Sequence, residues 1–548
     1  MEQGFISLIR QSILDNWSLD ALTDYHGKTF KYQDVAHDIA VLHLLFDASG
    51  IKPGDKVALC GRNSSRWGII FLATLTYGAV AVPILHDFKA DNIHNIVNHS
   101  EALLLFAGDS IWENLDERSM PQLKGILAIS DFSLLTSRSK KLTGVMEDFN
   151  NLWHKRYNNR FRKEHVKYHN DQSEALAYIS YTSGTTSFSK GVMIPYRSLL
   201  SNIRFAQDNM PLQPGDGHVC MLPMAHAFGL LFSFLFEFTK GCHVYFLTRT
   251  PSPKIIFQAY QEVKPSLIIS VPLVIEKVIK KNVMPKLNTP AMKLALKVPF
   301  IRQRILSSVH DKLDNLFGGR FIELVIGGAA VNEEVAHLLH EIRFPYTVGY
   351  GMTECGPLIC YASASTFKEK SCGRPVDRME VKIDSPDPAN IVGEIMVRGD
   401  NVMQGYYKNP QATAETLEQD GWMHTGDLAL MDGKRNVTIK GRSKNMLLGP
   451  SGQNIYPEEI EEKLNNMPYV AECVVVQNAG RIIGLVHPDY NEALAEGLNA
   501  ERINSIMEQN RKTLNELLPR YSQLAAIKIY AEEFEKTPKR SIKRYLYQ

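Results

Sequence analysis

Between about residues 55 and 350 the chain alternates short apolar runs with amphipathic segments, and this alternation restricts the folds open to it. The clearest strand-like runs are KVALCG (56–61), AYISYT (177–182), SLIISVP (266–272) and FIELVIGG (321–328). The segment after the last run predicts a helix that Asn332 caps, with Glu333 and Glu334 at the positive end of its dipole. Such alternation predicts an α/β architecture in which helices cover β-sheets.

The pattern changes after about residue 440. YPEEIEEKLNNM predicts a helix with Pro457 in its first turn, and CVVVQNAGRIIGLVHP predicts a hairpin. A helical stretch that ends near Pro519 and a strand, AAIKIYAEEF, follow. We therefore expect two domains, a large N-terminal domain of helix-covered β-sheets over residues 1–442 and a small α+β domain over residues 443–548.

Charge, cysteine usage and hydropathy exclude several classes of protein. The 61 basic and 59 acidic residues nearly cancel, so no overall field attracts nucleic acid or an anionic membrane. The seven scattered cysteines form no C-x-x-C pair, which fits a reducing compartment and no zinc site. The N-terminus lacks signal-peptide features, and Gly78 and Pro83 break the uncharged stretch 67–85, which favours a buried helix and strand. We expect a cytoplasmic protein.

One loop after a predicted strand has an unusual composition. In α/β sheets, ligands bind at the carboxyl ends of strands, and YTSGTTSFSKGVMIPY (181–196) lies at such an end. A polyphosphate suits a flexible backbone, clustered hydroxyls and an ammonium group. The residues that supply these groups are Thr182, Ser183, Gly184, Thr185, Thr186 and Lys190.

Other interpretations of this loop stay open. It is not a Walker phosphate loop, because Ser189 and Gly191 occupy positions where that motif needs Gly and Ser or Thr. It could be a plain surface turn. Residues 187–190 also spell S-x-x-K, a nucleophile pattern of penicillin-recognising hydrolases, although the S-D-N and K-T-G companions are absent from the chain.

The loop resembles the phosphate-binding signature T-S-G-T-T-G-x-P-K-G of the adenylate-forming superfamily, with departures at Ser187 and Ser189. Further motifs similar to those of the superfamily follow in order: GGAAV (327–331), GYGMTE (349–354), HTGD (424–427) and KGRSKNML (440–447). The resemblance covers most of the chain, and residues 441–461 also look like bacterial long-chain fatty acyl-CoA synthetases. It implies that the C-terminal domain is mobile.

The resemblance implies a nucleotide site built from these motifs. The loop with Lys190 would hold the ATP phosphates, and Glu354 would bind Mg²⁺ with help from Thr182. Asp427 would bind the ribose hydroxyls, assisted by Arg442. The adenine edge would face Gly328 and Ala329, its ring would stack on Tyr350 beside Gly351, and the α-phosphate would contact Thr353.

Two further positions concern the acid and the domain motion. His226, in LPMAHAFGL, is similar to the histidine near the acyl entrance, although a single histidine among apolar residues is also common in cores. Lys444 corresponds to the hinge. The region PMAHAFGLLFSFLFEF has no Asp to bind an amino group, and its Phe and Leu residues suit an apolar acyl tunnel.

The resemblance thus implies ATP-dependent activation of a carboxylic acid, with a long-chain fatty acid favoured, through an acyl-adenylate to an acyl-CoA. ATP and CoA would be substrates, Mg²⁺ the cofactor, and AMP and pyrophosphate products. A medium-chain or aryl-acid CoA ligase, an acyl-carrier-protein ligase and a degenerate nucleotide-binding protein stay open as alternatives. The oligomeric state and a loose peripheral membrane contact also stay open.

The C-terminal segment departs from the superfamily. Where that family has K-T-P-x-G-K-I-x-R, this chain has KTPKRSIKR (536–544), so Ser541 replaces the lysine that contacts the substrate carboxylate and α-phosphate. Our hypothesis is that a shift of this segment lets Lys543 or Arg540 supply the charge. The alternative is weak adenylation, or a protein that only completes thioesterification.

Overall fold

The structure is a computed structural model, and it describes residues 4–182, 190–248, 252–448, 453–478, 480–537 and 542–547. The chain forms two compact units. The first contains the described residues up to Glu380 together with Arg398–Met423, and the second contains Val381–Val397 and the described residues from His424 onward. The domain boundary that the sequence predicts after residue 442 stays a prediction.

An eight-stranded sheet dominates the first unit. From Leu176–Thr182 to Gly125–Ala128 its neighbouring strands are parallel, whereas the outer strands pair antiparallel. In spatial order the strands are Gly405–Tyr406, Lys190–Pro195, Leu176–Thr182, Val80–Ile84, Lys56–Cys60, Ala102–Ala107, Gly125–Ala128 and Leu134–Ser137. Ile93, Ile96 and Val97 of the helix Ala90–Ser100 are buried in one core with these strands. The predicted helix-covered sheet is confirmed.

The uncharged stretch 67–85 forms a buried helix and strand, as predicted. The helix Ser65–Tyr77 begins where the Ser64 side chain accepts a hydrogen bond from the Trp67 amide, and it ends at Gly78, which has φ +86°. The strand Val80–Ile84 is buried at every position. Within the described residues, no helix is long and apolar enough to cross a membrane.

Three smaller sheets complete the strands of the first unit. A four-stranded sheet has the order Gly217–Cys220, His243–Phe246, Asp20–Asp24 and Thr29–Lys31. A parallel sheet has the order Leu267–Ser270, Glu323–Ile326 and Tyr346–Val348, and an antiparallel sheet has the order Tyr350–Gly351, Leu358–Tyr361 and Arg374–Pro375.

The helices of the first unit include the one predicted after residue 331. The Asn332 side chain accepts hydrogen bonds from the Glu334 and Val335 amides and so caps Glu333–Glu341, which confirms that prediction. The other α-helices are Phe5–Asp15, Tyr32–Ser49, Asp109–Trp112, Lys140–Glu147, Phe149–Tyr157, Tyr196–Asn209, Ala227–Leu230, Phe236–Lys240, Pro253–Val263, Pro272–Val278, Met284–Leu287, Pro290–Ala295, Pro299–Leu316 and Pro410–Thr416. Leu231–Leu235 and Ile279–Val283 are π-helical, and Glu117–Ser119, Lys163–His165 and Thr353–Cys355 are 3₁₀ turns.

The second unit contains the small α+β region. A four-stranded sheet has the order Met379–Asp384, Gly393–Gly399, Met423–Met431 and Val437–Arg442. A two-stranded sheet pairs Leu447–Leu448 with Asn454–Ile455, and a three-stranded sheet has the order Val470–Asn478, Arg481–Pro488 and Ala526–Ile529. Its helices are Pro457–Leu464, Tyr490–Ala495 and Ala500–Leu517, with 3₁₀ turns at Ser443–Asn445, Arg520–Ser522 and Arg544–Leu546. The predicted helix at Pro457, the hairpin and the final strand are confirmed, and Leu464, Val486 and Met507 share its core.

Candidate functional site

Two predicted phosphate-binding residues lie at neighbouring strand ends. Thr182 ends one strand of the eight-stranded sheet and Lys190 begins the next, and the two are antiparallel partners. The ladder therefore fixes both ends of the segment that joins them. The predicted residues between them, Ser183, Gly184, Thr185 and Thr186, lie outside the described residues.

Tyr406 links Lys190 to the predicted metal ligand Glu354. The Lys190 Nζ atom lies 4.5 Å from the centroid of the Tyr406 ring, a cation–π contact. The Tyr406 hydroxyl donates a hydrogen bond of 3.0 Å to Oε1 of Glu354. Burial, and then the Glu354 charge, raise the pKa of the Tyr406 phenol, so it remains a neutral donor. An ammonium, a phenol and a carboxylate thus form one connected group.

Sequence reasoning missed Tyr406. Its strand is only two residues long and pairs with a distant strand, Tyr406 facing Val192. The neighbouring Tyr407, in the turn that follows the strand, donates instead to Oε2 of Glu101 at 2.8 Å. The adjacent tyrosines in QGYYKNP were the available signal, but their sequence does not reveal which one reaches Glu354.

The backbone also holds Glu354. Glu354 lies in the 3₁₀ turn Thr353–Cys355, and its carbonyl accepts a 2.8 Å hydrogen bond from the Met403 amide, three residues before Tyr406. Thr353 is buried in this turn. Among the described residues, no group of three or more His, Cys, Asp or Glu side chains is arranged to hold a metal ion. One carboxylate fits Mg²⁺, which is usually held in nucleotide sites by one or two carboxylates and the substrate phosphates.

Two predicted nucleotide-binding turns emerge from one edge of the parallel sheet. Ile326 and Val348 are paired ends of neighbouring parallel strands, so the turns that follow them lie side by side. In the first turn, Gly328 has φ +86°, and Ala329 after it is exposed. The two predicted adenine-edge residues are therefore accessible.

The second turn requires glycine for steric reasons. A Cβ atom at Gly351 would lie 2.1 Å from the carbonyl oxygen of Pro357, too close for any side chain. Tyr350, just before it, is half-buried and leads into the turn that carries Thr353 and Glu354. One continuous segment thus carries Tyr350, Thr353 and Glu354, which are predicted to contact the adenine ring, the α-phosphate and the metal ion.

His226 begins a short helix next to the first turn. Its carbonyl accepts the Leu230 amide at 2.8 Å, which closes the first turn of Ala227–Leu230. A Cβ atom at Gly327 would lie 2.8 Å from the Phe228 ring, so this helix packs directly against the Gly327–Gly328 backbone. His226 is half-buried. The residues that follow are fully buried and apolar apart from Ser233: Leu230, Leu231, Phe232, Ser233, Phe234, Leu235 and Phe236.

In the second unit, Asp427 and Arg442 form the predicted ribose pair. They are cross-strand partners, and Arg442 Nε lies 3.0 Å from Asp427 Oδ1. The Asp427 side chain is only 7% exposed, whereas that of Arg442 is 66% exposed. Arg442 therefore holds a carboxylate that the strand otherwise shields from water.

Glu394 supports the same turn and was not predicted. Its Oε1 accepts the Gly426 amide at 2.8 Å, and its Oε2 lies 3.1 Å from Nδ1 of His424. Gly426 has φ +71°, a conformation that glycine adopts without strain. One carboxylate therefore fixes the turn that presents Asp427.

The predicted hinge residue follows this turn. Lys444 is exposed in the 3₁₀ turn Ser443–Asn445. Just before it, the Ser443 hydroxyl donates to the Gly426 carbonyl at 3.2 Å. The residue before the predicted hinge is therefore hydrogen-bonded to the turn that presents Asp427.

The C-terminal segment places its two described basic residues in different surroundings. Lys543 is paired with Glu535, Nζ to Oε2 at 3.1 Å, and this hydrogen bond raises the pKa of Lys543. Arg544 is largely buried and lies 2.6 Å from Oε2 of Glu461. Arg540 and Ser541 lie outside the described residues.

The described site residues therefore fall into two sets. The first unit holds Thr182, Lys190, His226, Gly328, Ala329, Tyr350, Gly351, Thr353 and Glu354, and the second holds Asp427, Arg442, Lys444 and Lys543.

Comparisons with known proteins agree on the family of this chain. A profile described as AMP-binding enzyme matches residues 15–407. The chain is 28% identical over 476 residues to a long-chain-fatty-acid–CoA ligase of Mycobacterium bovis, covering 82% of this chain and 76% of that protein. It is 26% identical over 547 residues to a chloroplastic long-chain-fatty-acid–[acyl-carrier-protein] ligase of Arabidopsis thaliana, covering 86% and 74%.

Solved structures show the same fold. An anthranilate CoA ligase in complex with anthranoyl-AMP matches with a TM-score of 0.77 at 17% identity, covering 99% of this chain and 96% of that one. ATP-bound MatB from Rhodopseudomonas palustris matches with a TM-score of 0.77 at 19% identity, covering 100% and 98%. The fold is that of adenylate-forming enzymes. Because the profile spans most of the sequence, the chain belongs to the AMP-binding enzyme family.

Proposed function

We propose that the protein is an AMP-forming acid–thiol ligase that activates a long-chain fatty acid with ATP and transfers the acyl group to CoA. The observation that carries this proposal is the group formed by Lys190, Tyr406 and Glu354. It combines a cation for phosphate oxygens with a carboxylate for a hard metal ion, next to paired strand ends. Family membership and the relatives' names support the same reaction.

The reaction takes place in two displacements. A carboxylate oxygen of the acid attacks the α-phosphorus of ATP, the bond to the β-phosphate oxygen breaks, and pyrophosphate leaves. The CoA thiol then attacks the acyl carbon and loses its proton, while the acyl–oxygen bond breaks and AMP leaves. Lys190 would neutralise charge on the β- and γ-phosphates during the first step.

Glu354 and Thr182 would hold Mg²⁺. The ion supplies positive charge that offsets the charge developing on the phosphates. Oε1 of Glu354 accepts the Tyr406 hydrogen bond, and the carboxylate would supply a negatively charged oxygen to the cation. Tyr406 is then a positioning residue that fixes the carboxylate.

The remaining nucleotide contacts would be made by the other predicted residues. Gly328 and Ala329 would line the adenine edge, Tyr350 would stack on the base beside Gly351, and Thr353 would contact the α-phosphate. Asp427 would accept both ribose hydroxyls, with Arg442 holding its carboxylate. Lys444 would be the hinge about which residues 443–548 move between the two displacements.

A fatty acid is the acid that the apolar segment after His226 supports. Each buried methylene contributes roughly 0.8 kcal/mol of transfer free energy, so a long alkyl chain gains most from such surroundings. His226 would lie at the acyl entrance, beside the adenine-binding turn that Phe228 packs against. The carrier-protein ligase among the relatives supports one alternative acceptor, the phosphopantetheine thiol of an acyl carrier protein.

The decisive experiment is acid-dependent ATP–pyrophosphate exchange with Mg²⁺ and saturated acids from acetate to stearate, plus benzoate and anthranilate. We expect exchange to rise with chain length. The Lys190→Ala variant should lower it at least about 100-fold, as expected when one charged transition-state contact is lost. The matched control is Lys408→Ala, since Lys408 lies over the Tyr407 ring in the same way. No acid-dependent exchange would mean a nucleotide-binding protein without ligase activity.

The acceptor is tested separately. The purified acyl-adenylate complex is mixed with CoA or with holo-acyl carrier protein, and thioester formation is followed by mass spectrometry. Faster transfer to CoA supports the proposal. Transfer only to the carrier protein would reassign the second step while leaving the first intact.

The missing C-terminal lysine has its own test. We propose that Lys543 or Arg540 approaches the α-phosphate during adenylation, which for Lys543 requires release from Glu535. The variants Lys543→Ala and Arg540→Ala should show which residue matters through reduced exchange with unchanged thioester formation from supplied acyl-adenylate. Equal exchange in both variants and the parent protein would contradict this assignment.

The cysteines bear on location. All seven are buried and the sequence contains no C-x-x-C pair, which supports placement in the reducing cytoplasm as part of this proposal.

A further inference from the structure

Large apolar side chains are concentrated on one exposed stretch of the first unit. Within eight residues, Leu294 is 68% exposed, Val298 47%, Phe300 64% and Ile301 42%. Single exposed apolar residues are common on soluble proteins, but a contiguous group usually marks an interaction surface.

These four residues, which we call the ridge, lie where one helix leads into the next. The helix Pro290–Ala295 leads into Pro299–Leu316 through consecutive turns, in which the Lys297 amide donates to the Leu294 carbonyl at 3.1 Å and the Arg302 amide donates to the Val298 carbonyl at 2.8 Å. The longer helix has 18 residues, all described, and Leu313 is its only buried one. Packing against the core therefore does not account for the apolar residues of its first turns.

Basic residues flank the ridge in the sequence. The segment 277–304 contains no Asp or Glu, in a chain whose acidic and basic residues nearly cancel. The Arg304 guanidinium lies 4.7 Å from the Phe300 ring, so charge and apolar surface are interleaved, and Arg302 is paired with Glu341. The basic residues are Lys277, Lys280, Lys281, Lys286, Lys293, Lys297, Arg302 and Arg304. We call this segment the cationic apolar surface.

We propose that the cationic apolar surface binds an anionic lipid membrane. Apolar side chains of an amphipathic helix enter the boundary between headgroups and acyl chains, while lysine and arginine bind lipid phosphates. Both features are present within one segment here. The short ridge gives a peripheral contact, because the helices that carry it do not span a bilayer.

Other occupants fit this surface less well. A second copy facing it across a two-fold axis would bring the same basic residues together, which is unfavourable. A nucleic acid would match the charge but would leave Leu294 and Val298 without a partner, because its affinity comes mainly from phosphates. An acidic lipid surface satisfies both the charge and the apolar ridge. The inference does not depend on the ligase proposal, because membrane binding is measured without turnover.

The test is flotation of the purified full-length protein with vesicles of phosphatidylcholine, or of phosphatidylcholine with 30% phosphatidylglycerol. We expect binding to the anionic vesicles and little to the neutral ones. Raising NaCl from 0.1 to 0.5 M should weaken it, since salt screens the attraction to the surface.

Two sets of variants separate the contributions of charge and of apolar insertion to membrane binding. The triple variant K286Q/K293Q/K297Q should weaken binding about 100-fold, since each basic residue near an anionic surface contributes about fivefold. The double variant L294S/F300S should weaken it by more than about tenfold through lost apolar insertion. The charge-matched control is K89Q/K434Q/K512Q, and the exposure-matched control is L494S, because Leu494 is 73% exposed in the second unit. Thermal unfolding verifies that each variant folds.

A labelled cysteine reports insertion directly. All seven native cysteines are buried, so the variant Phe300→Cys can be labelled selectively with an environment-sensitive dye. Its emission should shift to the blue on anionic vesicles, whereas a dye at Leu494→Cys should not respond.

Several outcomes would overturn the inference. These are failure of the parent protein to float with anionic vesicles, equal losses in the surface variants and their controls, or an unresponsive dye at position 300. Tighter binding to a DNA duplex than to vesicles, unaffected by L294S/F300S, would make the surface a nucleic-acid site and the proposal wrong.

Discussion

The Tyr406 hydroxyl donates a 3.0 Å hydrogen bond to Oε1 of Glu354, and the ring of the same tyrosine lies under the Lys190 ammonium. One side chain thus connects the two charged groups expected to contact the triphosphate. The substitution Tyr406→Phe keeps the ring and removes only the hydroxyl. We expect exchange to fall about tenfold, as for the loss of one hydrogen bond to a charged group, with a higher Mg²⁺ concentration needed for half-maximal rate.

The adjacent tyrosine provides the control for that prediction. Tyr407→Phe removes a hydroxyl that donates to Glu101 instead. Its Mg²⁺ dependence should match that of the parent protein. If both variants shift the Mg²⁺ dependence equally, Tyr406 does not position Glu354.

Asp427 should distinguish nucleotides by their ribose. The substitution Asp427→Asn keeps the shape but removes the charge that Arg442 pairs with. We expect KM for ATP to rise about tenfold with a smaller effect on kcat, because the lost contact is made in both ground and transition states. With 2′-deoxy-ATP, which lacks one hydroxyl, the same substitution should cost clearly less. An equal loss with both nucleotides would remove Asp427 from the ribose site.

The buried pair of Arg544 and Glu461 should determine the stability of the C-terminal region. Arg544 bonds both Glu461 and the Val475 carbonyl, and Oε1 of Glu461 accepts the Val475 amide at 2.6 Å. Removing one partner of a buried pair leaves the other charge uncompensated and typically costs about 3–5 kcal/mol. We therefore expect Arg544→Met to lower the unfolding free energy of the second unit by about that amount in guanidinium chloride.

The neighbouring exposed pair is the comparison for this effect. Lys543 and Glu535 face solvent, and such pairs contribute about 0–1 kcal/mol. Lys543→Met should therefore leave the unfolding transition nearly unchanged. A double variant, Arg544→Met with Glu461→Leu, should recover stability relative to Arg544→Met alone. Failure to recover would mean that the Val475 hydrogen bonds matter more than the ion pair.

A second buried pair predicts how stability depends on pH. His218 Nδ1 and Glu237 Oε1 lie 3.6 Å apart, and both side chains are fully buried. Burial lowers the pKa of His218 from 6.5 to about 3 and raises the pKa of Glu237 from 4.5 to about 8, so both are neutral in the fold. Burial also raises the pKa values of the nearby Tyr32, Cys220 and Cys242, which stay neutral in this range.

The sign of each contribution follows from which state binds more protons. Below about pH 6.5 the unfolded chain protonates His218 and the fold does not, so stability falls as the pH drops towards about 3. Above about pH 4.5 the fold keeps the Glu237 proton that the unfolded chain loses, so stability falls as the pH rises towards 8. The two slopes cancel between about pH 4.5 and 6.5. Thermal unfolding should show a plateau there. Glu237→Gln should flatten the decline above it and should turn the plateau into a rise of stability with pH, because only the His218 contribution then remains.

Local sequence patterns were sufficient to predict the strands and turns of the candidate nucleotide site. The run ELVI is apolar and is followed by two glycines, and Asn332 has an amide side chain that caps a helix without help from distant residues. The turn at Gly351 likewise depends on a close approach within a few residues, since Pro357 is the group that excludes a side chain.

Contacts between distant segments could not be predicted in this way. Tyr406 reaches Glu354 because its strand pairs beside Val192, and no local periodicity encodes that pairing. Glu394 binds the turn at Gly426 from a neighbouring strand, so its role depends on sheet order. At the C-terminus, alignment with the family motif did not predict the surroundings of the basic residues. Lys543 pairs with Glu535, whereas Arg544 is largely buried beside Glu461.

The pairing of Thr182 with Lys190 has an entropic consequence for the segment between them. Antiparallel partners are about 5 Å apart, so the sheet has already closed this stretch of chain during folding. Binding of a nucleotide therefore bears no further cost of bringing the two ends together. Substitutions at Ser187 and Ser189 should accordingly alter nucleotide affinity while leaving the melting temperature of the free protein nearly constant. Phosphate binding can therefore change during evolution without a change in the stability of the fold.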